Sequence, residues 1–184
     1  MHQERNRPDT TSPTLHPEIK AHIQFLSDQV KSLEKSIQEH LAAHPTLEPG
    51  HVWLDSIVGN GPMSAAYMRE EIGVFQRWGC ARQLAAYSGL PLQHHQAGTS
   101  VHGKVTLARI GNAHLRYHLY FPSLVAIRRS LAIAQWRQQL LDRGKNKMQV
   151  VGAVMHQLLR LCFGVLKSGQ DFDSEMIQSK SLTT

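Results

Sequence analysis

The 184-residue sequence predicts an all-α protein: a coiled-coil helix followed by a compact multi-helix domain that contains a helix-hairpin-helix-like motif. Three observations predict it. Apolar residues recur at helical spacing in segment after segment, and most of those segments stop at a glycine. No convincing run of alternating apolar and polar residues marks a strand.

Residues 1–16 are polar and rich in Pro, Thr and Ser, which predicts a disordered lead-in. Over 17–44, Ile19, Ile23, Leu26, Val30, Leu33 and Ile37 alternate in steps of four and three with Glu and Lys on the flanks. That is the rhythm of a coiled-coil seam about three heptads long. A single amphipathic helix packed on its own domain is the alternative. "PTLEPG" at 45–50 is expected to end the helix and serve as a linker.

A domain over 51–173 follows. Its first element, 52–73, sets Leu54 and Ile57 before Gly59-Asn60-Gly61, and Ala65, Ala66 and Met68 after it. Glycines permit a tight turn, Pro62 suits the first turn of the second helix, and exposed N–H groups there can hold a phosphate without reading sequence. Gly59 and Gly61 are therefore candidate nucleic-acid contacts, although a glycine turn between helices is also common for structural reasons alone. "CARQLAAYSGL" predicts a short helix closed by Gly89. "GNAHLRYHLYFPSLVAIRRS" predicts a helix kinked near Pro122, and "LAIAQWRQQLLDRG" one ended by Gly144. "MQVVGAVMHQLLRLCFGVLKSG" predicts the last helix, ended by Gly169, and 174–184 a frayed tail.

Composition narrows the function classes. From Val74 to Gln170 there are thirteen lysines and arginines against Asp142 alone. Such a stretch attracts polyanions, because releasing counterions from nucleic acid supplies affinity; a merely solvated basic surface is the plainer alternative. Cys80 and Cys162 lack the spacing of a disulfide framework or a zinc site, and no apolar leader opens the chain, so a cytoplasmic setting is expected. The most apolar stretch, "VVGAVMHQLLRLCFGVL", is interrupted by His156, Gln157 and Arg160, which reads as a buried helix and not as a membrane span.

The segment "QHHQAGTSVHGK" (93–104) concentrates the candidate chemistry. His94, His95 and His102 have no Cys, Asp or Glu beside them to complete a metal site. Thr99 and Ser100 sit between glycines with Lys104 and Arg109 downstream, an arrangement suited to phosphoryl chemistry or to phosphate binding. Capping of a turn is the ordinary alternative for such hydroxyls.

Five blocks carry a resemblance: "ARQLAAYSGL", "AGTSVHGK", "IGNAHLRYHLYFPSLVAIR", "RGKNKMQVVGAVMHQLL" and "GVLKSGQDFD". In this order and spacing they resemble the C-terminal half of the IS-one-ten type of insertion-sequence transposases, kin of the pilin-gene invertases. The match runs from about Leu54 to Asp173. The helix at 17–43 resembles the family's coiled-coil segment, and "IVGNGPMSA" its hairpin motif, usually closer to Ile-Pro-Gly-Ile-Gly.

The resemblance implies a two-part active site. An N-terminal RNase-H-like domain supplies four acidic residues that hold magnesium, and the C-terminal domain supplies a serine that becomes covalently attached to DNA. It also implies a structured RNA partner in some members, and assembly through the coiled coil. Two departures matter. No carboxylate tetrad precedes residue 17, so magnesium is expected only with a separate acidic domain. The family's Ser-Gly-x-Ser-x-x-Gly frame here reads Ala97-Gly98-Thr99-Ser100-Val101-His102-Gly103, and a methyl group at Ala97 cannot form a phosphoester. Ser100 matches the second loop serine but lies up to about 10 Å along the backbone from that position.

The expectation is thus a truncated transposase domain that binds DNA, and in some contexts element-encoded RNA, without cleaving it alone. Gly59, Gly61, Lys104, Arg109, Arg116, Arg128, Arg129, Lys145 and Lys147 are its expected contacts. Homo-oligomers through the seam, or inactive mixed assemblies with a full-length transposase, are the expected protein partners. No membrane partner is expected. An active recombinase using Ser100 with a separately encoded acidic domain, and a decaying gene fragment, remain as alternatives.

Overall fold

The computed structural model describes residues 13–44, 48–93, 96–97, 101–102, 106–107 and 110–173. The chain divides into two compact units, Met1–Pro45 and Thr46–Thr184. In the first, a 3-10 turn at Pro13–Leu15 leads into α1 (His16–Ala43), so ordered structure begins within the stretch expected as a lead-in. Residues 1–12 lie outside the described residues. Pro17 falls in the first turn, where its missing N–H costs no helical hydrogen bond, and Glu18 complements the positive end of the helix. Lys31–Asp28 and Lys35–Glu39 pairs line the exposed surface at 4.0 and 3.6 Å. No residue of α1 is buried, and Val30 and Leu33 of the apolar seam are 42% and 62% exposed.

The second unit is helical. Its order is α2 (Glu48–Asp55), α3 (Pro62–Ile72), a 3-10 turn (Phe75–Arg77), α4 (Ala81–Ser88), α5 (Ala113–Arg129), α6 (Leu131–Asp142) and α7 (Lys147–Ser168). Between α4 and α5 lie four two-residue strands: β1 (Leu92–Gln93), β2 (Gln96–Ala97), β3 (Val101–His102) and β4 (Thr106–Leu107). α2 starts inside the expected linker. Pro49 is tolerated near its start, and Gly50 leaves room for the Arg69 side chain, whose Nε would lie 2.8 Å from a Cβ there.

Helix α7 is the axis of the core. It packs against α2, α4, α5 and α6, while α3 packs on α2 and α5. Val154, Leu158, Leu159, Cys162 and Val165 are fully buried against a cluster that includes Leu54, Met68, Ile72, Leu84, Leu115 and Leu119. Each such leucine contributes about 1.5–3 kcal/mol by leaving water. By length and composition α7 is apolar enough to cross a membrane, but 67% of its most apolar window is buried inside this unit. Asn146 and Gln149 cap its start reciprocally, and Gly169 ends it in the left-handed conformation. Burial pushes the Cys162 thiol up to about 12, which leaves it protonated and unreactive.

The two glycines of the α2–α3 turn do different work. Gly59 has φ +103, and a Cβ on it would sit 2.4 Å from the carbonyl oxygen of Pro122 and 2.9 Å from Ala126. It is the point where the turn touches the backbone of α5. Gly61 is the N-cap of α3 with extended backbone and open space where a Cβ would be. Asn60 turns inward, its Nδ2 donating to the Leu54 carbonyl at 2.8 Å to close the end of α2. α5 runs through Pro122 as one helix.

Gly59→Ala is therefore expected to cost about 2–4 kcal/mol through strain and backbone overlap, whereas Gly61→Ala costs less than about 1 kcal/mol. Urea denaturation midpoints of the two variants check this; equal shifts would contradict the packing of Gly59.

Candidate nucleic-acid interface

The segment singled out by sequence for its chemistry is a nested pair of antiparallel ladders, where sequence alone indicated no strand. Leu92 pairs with Leu107 and Gln93 with Thr106. Further out, Gln96 pairs with His102 and Ala97 with Val101. Ala97 ends β2 opposite Val101. Thr99, Ser100, Lys104, Arg109, His94 and His95 lie outside the described residues.

The base of this hairpin is built tightly. Gly89 caps α4 in the left-handed region, and a Cβ there would meet the Ile110 carbonyl oxygen at 2.7 Å and Arg116 Nη1 at 2.6 Å. Gly111, with φ +140, leaves 2.3 Å between a would-be Cβ and the Tyr87 carbonyl oxygen. Two glycines thus let the outgoing and returning chains pass in backbone contact. Arg116 Nη1 donates to the Ser88 carbonyl at 2.8 Å, and the Asn112 amide donates to the Tyr87 carbonyl at 2.7 Å.

Asn112 is the centre of this neck. Its Oδ1 accepts from Leu115 N at 3.0 Å, which caps α5, while its Nδ2 donates to the Glu71 carboxylate and, at 3.0 Å, to the Tyr87 hydroxyl. One side chain therefore joins α3, α4 and α5 immediately below the hairpin. Sequence reasoning passed over it, although an Asn directly before a helical run is an N-cap signal. Arg77 lies over the rings of Trp78 and Tyr87, at 4.6 and 5.7 Å, and buttresses α4.

The expected cationic contacts separate into two groups. Arg116 is occupied inside the neck. Arg128 and Arg129 are exposed in the last turn of α5, and Lys145 and Lys147 are exposed at the α6–α7 turn. Among the described residues these four make no ion pair, the pairs described lying on α1. α6 has 12 residues and spans about 18 Å, so the two cation pairs stand at its opposite ends. Lys147 occupies the first turn of α7, where a positive charge opposes the helix dipole and no acid offsets it.

On the outer side of α3 and α5, the Tyr67 and His118 rings stack at 4.1 Å and 11°, and Tyr117 meets His118 edge-on at 5.3 Å. Burial lowers the His118 pKa, with Glu71 and Glu70 pulling the other way and His114 adding to the fall, so the ring is neutral near pH 7. Among the described residues no group of three His, Cys, Asp or Glu side chains converges to hold a metal. Glu71 is committed to Asn112, and the donor set does not fit a magnesium centre.

The family described as the transposase IS116/IS110/IS902 family matches residues 52–139. The pilin gene-inverting protein of Moraxella bovis is 27% identical over 175 residues, which is 95% of this chain and 54% of that protein. The insertion element IS110 uncharacterized 43.6 kDa protein of Streptomyces coelicolor is 28% identical over 160 residues, 87% of this chain and 38% of that one. A probable family 20 transposase of Pseudomonas aeruginosa is 29% identical over 154 residues, covering 81% and 44%. The chain spans about half the length of the curated relatives it matches.

Arg116→Ala is expected to lower stability by about 1.5–3 kcal/mol, the worth of a hydrogen bond from a charged donor. Arg128→Ala, on open surface, should change it by less than about 0.5 kcal/mol. Thermal melts of both variants test the division of the cations into structural and free.

Proposed function

We propose that this chain, a member of the IS116/IS110/IS902 transposase family, is a DNA-binding component of transposition or site-specific recombination. The observation that carries this reading is the set Arg128, Arg129, Lys145 and Lys147, four exposed cations that no acidic side chain among the described residues neutralises. Charge that the fold leaves uncompensated, at the positive end of α7 in one case, is charge held for a polyanion. A separation of about 18 Å along α6 suits contacts to phosphates about five base pairs apart on one duplex. The open N-terminus of α3 at Gly61 suits a further phosphate, as a helix-hairpin-helix would use it. Such contacts hold a duplex without reading its sequence.

In this reading the hairpin positions DNA and does not attack it. Ala97 supplies no oxygen at the place where the family's resemblance implies a nucleophile, and the described acids do not form a metal centre. Strand transfer thus belongs to an assembly that brings other catalytic groups. The seam of α1 favours association through a two-helix coiled coil: a narrow stripe repeating in steps of four and three matches a partner helix.

The quadruple variant Arg128→Ala, Arg129→Ala, Lys145→Ala, Lys147→Ala should bind duplex DNA more weakly. Its salt slope of log K should also fall by about 0.9 for each phosphate no longer neutralised; an unchanged slope in titrations across salt would remove the assignment. Val30→Asp with Leu33→Asp should shift sedimentation from oligomer towards monomer, and a wild-type monomer at high concentration would overturn the coiled-coil reading.

A further inference from the structure

The exposed face of α5 is apolar where a surface helix is ordinarily polar. Along it stand His114, Tyr117, Phe121 and Val125, then Arg128 and Arg129. Tyr117 is 65% exposed, Phe121 56% and Val125 36%. Leu115, Leu119, Pro122 and Ala126 fill the opposite, core-facing side, and the outer stripe is no part of the core cluster. Large aromatic side chains left in water on a helix face mark a contact surface.

We infer that Tyr117 and Phe121 form a stacking platform for the bases of an unpaired DNA strand whose phosphates run to Arg128 and Arg129. This rests on the DNA-binding reading above and deepens it. Three features point to this occupant. The first is charge: the stripe ends in two arginines without acidic partners among the described residues, which complements a polyanion. The second is spacing. Tyr117 and Phe121 are four residues apart, about 6 Å along the helix, whereas bases stacked in a duplex repeat at about 3.4 Å. Rings at the wider spacing can meet successive bases face-on only in a strand drawn out of the duplex. The third is ring order. His118 is clamped face to face against Tyr67 and edge-on to Tyr117, so Tyr117 is held by neighbours and loses little freedom on binding.

A second copy of the chain fits this surface less well. A stable dimer buries about 800 Å² on each partner, more than three side chains on one helix offer, and self-pairing would bury arginines and histidines with them. Recombination, in turn, passes through strands separated from their complements, and a phosphate grip alone does not retain a displaced strand's bases.

The test compares binding of a labelled thymidine homopolymer with that of a mixed-sequence duplex, by fluorescence anisotropy on the whole chain. Removing one ring, by Tyr117→Ala or Phe121→Ala, should weaken thymidine-homopolymer binding at least about fivefold. Duplex affinity and its salt slope should stay unchanged. Tyr117→Trp retains a stacking ring, and its added emission should be quenched by the homopolymer and not by the duplex. No loss on the homopolymer, or equal loss on both probes, overturns the platform while leaving duplex binding intact. Tighter binding of a uridine homopolymer would assign the surface to RNA and overturn the DNA occupant. A wild-type dimer that the alanine variants dissociate would assign it to self-association. Failure of the wild type to bind either probe would overturn the DNA-binding reading along with the platform.

Discussion

The arrangement of the second unit depends on one constraint, that α7 must be covered on nearly every side. Twelve of its 22 residues are buried, among them Gly152, Gln157 and Cys162 as well as the aliphatic side chains. A helix so apolar cannot rest on a surface; it needs neighbours around it, and α2, α4, α5 and α6 supply them. The same demand sorts the charge. Arg128, Arg129, Lys145 and Lys147 lie at helix ends and turns, away from the faces that pack on α7.

A second constraint operates at the hairpin. A segment of nineteen residues joins Leu90 to Ile110, and its direction is set where the two chains cross. Gly89 and Gly111 allow backbone contact there, and Asn112 ties the crossing to α3 and α4 while starting α5. Both Nδ2 protons and the Oδ1 of Asn112 are engaged, as are its backbone N–H and carbonyl, which fixes the centre of the neck. The direction in which this segment leaves the helical core is thus inherited from a single asparagine and two glycines.

Much of the helical architecture was legible in the sequence because its punctuation is local. Gly89 and Gly169 are left-handed caps, and Pro62 opens α3, each a choice made by one residue's backbone. What escaped was non-local or too short. Ladders of two residues carry no alternation to detect. Gly50, read as part of a linker, lies inside α2 and accommodates Arg69, a residue nineteen positions on. Gly59 and Gly61 look equivalent in a Gly-x-Gly turn, yet one abuts α5 and the other faces open space. Arg116 counts as one more cation in a basic stretch, and only the fold shows it bonded to Ser88. The basic composition pointed to a polyanion; it held no information on which cations the fold would consume.

The α5 stripe shows the same limit from the other direction. "HLRYHLYFPSLV" is apolar on two faces, and a sequence gives no reason to prefer one of them for the core. The choice falls to Pro122. Lacking an N–H, it frees a carbonyl one turn earlier and presents a flat, compact face, and its own carbonyl lies where Gly59 must touch. A face with Pro122, Ser123 and Ala126 admits close backbone approach; one with Tyr117 and Phe121 does not. Once Gly59 is seated there, Tyr117 and Phe121 have no course but outward. The aromatic surface of α5 is therefore coupled to the glycine turn between α2 and α3: the face that admits Gly59 also carries Leu115 and Leu119 into the core and leaves Tyr117 and Phe121 on the other side.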